Sequence, residues 1–285
     1  MTRSWFPPIR SDLVRNRLRP RALGLAVAGL TALTACGTAY DLPSTTGTYE
    51  AQASRIFAEA RSTPPPKPIS AAAAQARFDR VARRVRPAGR SACEQLRGPQ
   101  VDCQVQIEID RQMKEANAYF TYEKGRPVIR MSLPLLQVTR NDDEAAFVMA
   151  HEYGHLIGGH IEKKQQQVAA GALIAGTLAG LATAVSGDFD EDALARGLGV
   201  GAAVGGIAYS QTYELESDSL GTRIAHAAGY DAPKGARFFA RPGKPQSPSG
   251  GLNFWSTHPP DEKRLALVLA TQAEIDRGQG LRPAQ

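Results

Sequence analysis

The sequence predicts an α+β protein, mainly helical, with a small antiparallel sheet directly before one central helix. Three observations carry this. Residues 101–110 alternate Val101, Cys103, Val105, Ile107 and Ile109 with polar neighbours, the period-two pattern of a half-buried strand. Residues 117–122 and 126–133 bracket Glu123-Lys124-Gly125, which suits a hairpin turn. Much of the remaining chain from Ala71 onward places apolar residues at helical spacing or in Ala-rich runs. One such run leads into His151-Glu152-Tyr153-Gly154-His155.

The chain has 285 residues, 42% hydrophobic and 22% charged, enough for one substantial domain with accessory segments. That balance excludes a chain disordered throughout or a polytopic membrane protein. The net charge of +6 points at first to nucleic acid. Residues 1–35, however, hold six arginines (Arg3, Arg10, Arg15, Arg17, Arg19, Arg21) against one aspartate (Asp12), so five of the six charges sit there. This basic start, the apolar run 22–33 and the ending Leu33-Thr34-Ala35-Cys36 read as a secretory signal segment, too short for a membrane span. No nucleic-acid motif or nucleotide-binding glycine loop is present, and no nucleic-acid partner is expected.

Leu-Thr-Ala-Cys resembles the bacterial lipobox. The resemblance implies that Cys36 becomes the lipid-modified first residue of the mature chain, and that Gly37, in place of Asp, directs it to the periplasmic side of the outer membrane. A plain signal peptide or an uncleaved anchor is the alternative. In an exported chain the two remaining cysteines, Cys93 and Cys103, are expected to form a disulfide, with free buried thiols as the other outcome.

Residues 36–70 are Ser/Thr/Gly-rich and then Pro-rich, with a short helical patch at 50–61, and read as the lipidated cysteine and a tether. The folded domain is expected at 71–285. It opens with a helix over 71–85 that stops before Pro87 and Gly89. After the central helix come two Ala/Gly-rich apolar stretches, 168–185 and 194–209, which fit a helical hairpin packed through small residues; contact with the membrane is left open.

On a helix, His151 and His155 lie one turn apart and can turn an imidazole nitrogen toward a common point about 2 Å away, where a zinc ion fits. Glu152 beside them can reach an attacking water without being a ligand, as a general base must. Asn141-Asp142-Asp143-Glu144 supplies a cap and acidic first turn for this helix. The bland alternative is two surface histidines on an ordinary helix.

A catalytic zinc needs a third protein ligand. His160 stands one residue too early for a ligand six positions after His155, and that near miss reads as a coincidence. Glu214 and Asp218 share a helical face, so one can ligate while the other holds a ligand imidazole; Glu216 is about 200° round the helix from Glu214 and should face away.

These segments, with Gly221, Ala228-Gly229-Tyr230-Asp231-Ala232-Pro233, Thr257-His258-Pro259-Pro260 and Arg264, resemble the gluzincin peptidases of family M48 over about residues 71–269. That family includes the CAAX prenyl protease, the membrane protease HtpX, and soluble or lipid-anchored periplasmic proteases of outer-membrane quality control. Ser217 stands where the family usually carries Ala, and Asn117-Ala118 resembles its strand bordering the substrate cleft. The resemblance implies a zincin-like metallopeptidase domain with one Zn2+ held by His151, His155 and Glu214, Glu152 as base and Asp218 behind a ligand. It also implies that His258 is a loop histidine able to close the open zinc position. His258 or Arg264 is a candidate for holding the oxyanion, and residues 241–251 for a lid. His226 is expected to be a packing or surface histidine. The expected function is zinc-dependent hydrolysis of misfolded or unassembled envelope proteins. The alternatives are an assembly scaffold for outer-membrane proteins with latent protease activity, and a membrane-embedded protease built around 168–209. Oligomeric state is left open.

Overall fold

The computed structural model of the protein describes residues 37–186, 210–241 and 253–284, with the backbone alone over 174–186. In chain order these form α1 (Thr48–Ser62), α2 (Ala71–Arg97), β1 (Gln106–Asp110), β2 (Ala118–Glu123), β3 (Arg126–Ser132), α3 (Leu133–Val138), α4 (Asp142–Gly158), α5 (His160–Ser186), α6 (Ser210–Ala227), α7 (Ala232–Ala236), α8 (Phe254–Thr257) and α9 (Glu262–Asp276). The predicted class, mainly helical α+β with a small sheet before the motif helix, is the observed one.

The centre is α4. The Asn141 side chain accepts from the Glu144 amide at its start, and Gly159, at φ 64°, ends it in the left-handed region. Between these ends its side chains are buried almost all round, Phe147, Met149, Tyr153 and Ile157 among them. Burying each such side chain is worth roughly 1.5–3 kcal/mol, so packing rather than an amphipathic stripe stabilises this helix. α6 packs on α4 along the motif, α2 and α7 cover other faces, and α9 closes over α6 and α1.

The sheet has the order β1-β3-β2. β2 and β3 are antiparallel across the two-residue turn Lys124-Gly125, where both residues have positive φ. The expectation of a purely antiparallel sheet needs correction, because β1 pairs parallel with β3, Ile107 opposite Ile129. Residues 111–117 are long enough to carry the chain past one strand position, roughly 10 Å, so the hairpin folds back with β3 in the middle. The strand is also shorter than the alternation at 101–110. Asp102 accepts from the Gln104 amide in a tight turn, and Cys103 is tied to Cys93 by a disulfide.

Two further boundaries differ from expectation. α2 runs on through Pro87 to Arg97. Pro87 lies on the exposed side, as do Arg83 and Arg84, so the carbonyl it leaves without a helical partner can be met by water. Gly89 lies under the Tyr153 ring, where a Cβ would come within 2.7 Å, and Cys93 is fully buried, so tertiary packing holds the second half of the helix.

The segment read as a tether is part of the domain from Gly37 onward. α1 buries Ala53, Ile56, Phe57 and Ala60 and packs on α9, and Tyr40 forms a bridge to Pro283. The four apolar positions follow one helical face, which outweighs the linker-like composition around them. Residues 1–36, 187–209, 242–252 and 285, and with them the signal segment, Cys36, all of the second apolar stretch and most of the lid, lie outside the described residues. None of the described helices is long and apolar enough to cross a membrane.

Candidate active site

α4 and α6 come together backbone to backbone. A Cβ at Gly154 would stand 2.7 Å from Ser217 Cα, and one at Gly221 would stand 3.0 Å from His151 Cα. Because both positions lack a Cβ, the two helices approach closely enough for side chains of one to reach those of the other. His151 Nε2 and His155 Nε2 lie 3.1 Å apart, and Glu214 oxygens lie 3.3 Å from the first and 3.4 Å from the second. His258 Nδ1 lies 3.3 Å from His151 Nε2 and 2.9 Å from Glu214 Oε2. All four ligand atoms fall within 4.8 Å of one another.

These separations fit a metal ion. Ligand atoms about 2.05 Å from a tetrahedral zinc are about 3.3 Å apart, close to the spacing found here. His151 gives its Nδ1–H to Asp218 Oδ1 at 2.9 Å, and a hydrogen bond of the same length joins His155 Nδ1 to His160 Nδ1. Each ligand ring thereby keeps Nε2 for the common centre. Three carboxylates, Glu152, Glu214 and Asp218, are set against one buried guanidinium, Arg264, a balance that suits a divalent cation.

The electrostatics agree. Burial works to lower His151, but hydrogen bonds to Asp218 and Glu214 outweigh it and push it up to about 9. The field that favours a proton between His151 and Glu214 favours a cation there equally. Burial acts to raise the Glu214 carboxyl, yet His258 and Arg264 hold it well below the usual range, assisted by hydrogen bonds from His151 and His155. Burial lowers His155, and it pulls His160 down to about 4, which keeps both rings neutral.

Glu152 is 1% exposed, and its Oε1 has no hydrogen-bond partner. It lines a cleft of about 210 Å3 together with Tyr119, Phe120, His155, His160, Ile161, Lys164, Tyr213, Glu214, Thr257 and His258. Tyr119 and Phe120 belong to β2, an edge strand of the sheet. His258 is delivered by α8, whose capping box joins Asn253 and Ser256, and the Phe254 amide donates to Ala116 O just before β2.

Arg264 is not available for an oxyanion. Its Nε and Nη2 donate to the two Asp218 oxygens at 2.7 and 2.9 Å, and Nη1 lies 3.1 Å from Glu214 and 3.3 Å from Pro259 O. It is a fully buried clamp on the two acidic residues. His226 is exposed and bonds Gln272, away from the cluster. Two residues not foreseen belong to the site. His160 bonds His155, and Glu216, which does face away from Glu214, is fully buried and accepts from His160 Nε2 at 2.8 Å.

The sequence profile described as Peptidase family M48 matches residues 76–272, more than half of the chain. The chain belongs to peptidase family M48, a metallopeptidase family. It is similar to the β-barrel assembly-enhancing proteases of Escherichia coli (strain K12) and Shigella flexneri, 28% identical in each case over 155 residues. The match covers 53% of this chain and 31% of each relative, so the chain spans about a third of their length.

Proposed function

We propose that this metallopeptidase is a zinc-dependent endopeptidase of the bacterial periplasm, lipid-anchored at Cys36 to the outer membrane, which hydrolyses misfolded or unassembled envelope proteins. The observation that carries the reading is the placement of His151, His155 and Glu214 at tetrahedral spacing beside the buried Glu152 carboxylate, whose Oε1 accepts no hydrogen bond and faces His258 Nε2 at 3.5 Å. The lipobox resemblance supports the location, the Cys93–Cys103 disulfide supports an oxidising compartment, and the name of the E. coli relative supports a role in envelope assembly. Gly37 O accepts from Lys163 Nζ and Asp41 N donates to Arg282 O, so an acylated Cys36 would hold the domain close to the membrane rather than on a free tether.

In this reading an extended substrate adds to the free edge of β2, which aligns its peptide carbonyl over the cluster. A zinc ion held by His151, His155 and Glu214 would supply Lewis acidity toward that carbonyl and toward a water molecule near neutral pH. Glu152 takes the proton of the attacking water and returns it to the leaving amine. Asp218 fixes the His151 ring, and Arg264 keeps Asp218 and Glu214 oriented. Zinc content and casein cleavage, measured together on wild type and Glu152→Gln, test this. Zinc should remain at one per chain while cleavage is abolished, and retained cleavage overturns the assignment.

One observation favours the second reading, an assembly scaffold with latent activity. His258 Nδ1 stands at the fourth corner of the cluster, where substrate or water would act. Capture of outer-membrane protein precursors by Glu152→Gln, with wild type leaving them intact, would decide for the scaffold.

A further inference from the structure

Behind the metal cluster runs a second chain of buried polar groups. His160, 4% exposed, stands in the first turn of α5 with its ring stacked on Tyr213, and a Cβ at Gly158 would collide with that ring. Its Nδ1 is 2.9 Å from His155 Nδ1 and its Nε2 is 2.8 Å from Glu216 Oε2. The other oxygen, Glu216 Oε1, accepts from the backbone amides of Ala39 and Tyr40, the latter at 3.0 Å. Lys163 Nζ lies 3.6 Å from Oε2 and donates to Gly37 O at 3.0 Å. The N-terminal strap is fastened independently, by Ala284 N to Ala39 O, by Asp41 N to Arg282 O and by Tyr40 Oη to Leu96 O.

We propose that His160 and Glu216 are positioning residues for the metal ligand His155, and that the strap at 39–40 completes their relay, so the N-terminal segment forms part of the metal site. Glu216 accepts at Oε2, which puts a hydrogen on His160 Nε2. The neutral ring then offers Nδ1 as an acceptor, His155 must donate from its own Nδ1, and only Nε2 of His155 remains with a lone pair for the metal. The arrangement repeats, through one extra ring, what Asp218 does for His151. The two strap amides fix which Glu216 oxygen faces His160. A side chain buried for packing alone would need neither the second imidazole nor two amides that come from the other end of the chain.

The inference rests on the metallopeptidase reading, and its test separates the two. Zinc affinity is measured on the full-length chain by competition with a chromophoric chelator. The Co2+ absorption spectrum and the melting of the metal-free protein are recorded alongside. Glu216→Gln is isosteric, but its amide nitrogen facing His160 puts the hydrogen on the wrong ring nitrogen. His160→Phe keeps the stack on Tyr213 and removes the bonds to His155 and Glu216, together with the 3.2 Å contact of Ser217 Oγ with His160 Nδ1. Each should weaken zinc binding by roughly 10- to 100-fold and alter the Co2+ bands. Ala39→Pro, which removes one strap amide, should weaken it several-fold and add little on top of Glu216→Gln. Variants that melt lower but bind zinc as wild type does would show a structural role only and overturn the relay. Normal binding in Ala39→Pro alone would cut the strap out of it. If wild type itself binds zinc no better than His151→Ala, the metallopeptidase reading falls, and the relay with it.

Discussion

His258 sits where a fourth ligand would sit, and its surroundings say how firmly. Its amide donates to Phe254 O at 2.7 Å, its ring lies 4.6 Å from the Phe254 ring, and Nδ1 is shared between Glu214 and His151. The turn that carries it is itself anchored, by the buried Phe254 and its amide bond to Ala116 O, so opening the site requires residues 254–258 to move together. If the closed arrangement leads the open one by about 1.4 kcal/mol, only about one molecule in ten is competent. His258→Ala should therefore raise basal casein cleavage roughly tenfold, and unchanged or lower activity would argue against a latch. The residue scale also shows what spacing can reveal. Two histidines four apart and two acids four apart fix directions on their helices, which points to His151, His155, Glu214 and Asp218; which of the two acids ligates is implied by the family resemblance and not by the spacing. Direction does not say what waits there: Glu216 lies about 200° round α6 from Glu214, and the buried His160 it meets comes from another helix. The spacing of His160 excludes it as a ligand six positions after His155 but says nothing of its bond to one.

At the scale of elements, the site depends on how closely α4 and α6 pack, and that closeness is set by residues without chemistry. Gly154 faces the Ser217 backbone and Gly221 faces that of His151, both in the middle of helices where glycine costs about 1 kcal/mol in propensity. Nothing in the sequence marks these two glycines as a helix crossing, because the partner backbone at each comes from a helix more than sixty residues away in the chain. Gly154→Ala changes none of the cluster residues or the base but forces the helices apart. Overpacking of this kind costs about 1–3 kcal/mol, and the separation should also weaken zinc binding because the ligands come from both helices. Urea melts of the metal-free variant with chelator competition check both effects; an unaltered melt with unaltered affinity would mean that the crossing is not what spaces the ligands. The strand direction was illegible for a related reason. Alternation marks β1 and the turn at 123–125 marks β2 and β3, but neither gives their order, and the parallel pairing arises because the 111–117 link carries the chain past one strand position before the hairpin folds back.

At the scale of the whole molecule, the linker-like composition of 36–70 conceals the spacing of Ala53, Ile56, Phe57 and Ala60, which seats α1 on α9. The Pro-rich piece after it is held as well, by Arg140 Nη2 donating to Pro64 O and Ile69 N donating to Gln137 O. The start of the described chain is thus fastened to its end and to its middle, and unfolding should be a single cooperative event. Its acid limb can be assigned. Asp142, in the first turn of α4, takes hydrogen bonds from Arg77 and Arg80 of α2, and the Arg80 bond above all holds its carboxyl below the ordinary value of 3.8. A carboxyl depressed in the folded state adds stability that is present above its unfolded value and lost as pH falls through its folded value. Burial moves Glu144 the other way, but Glu144 is common to wild type and to Asp142→Asn and cancels in their difference. The melting temperature of wild type should exceed that of Asp142→Asn at neutral pH, and the gap should close as pH is lowered below about 4. A gap that stays constant into that range would mean that the Asp142 pairs with α2 are solvated links without stabilising effect.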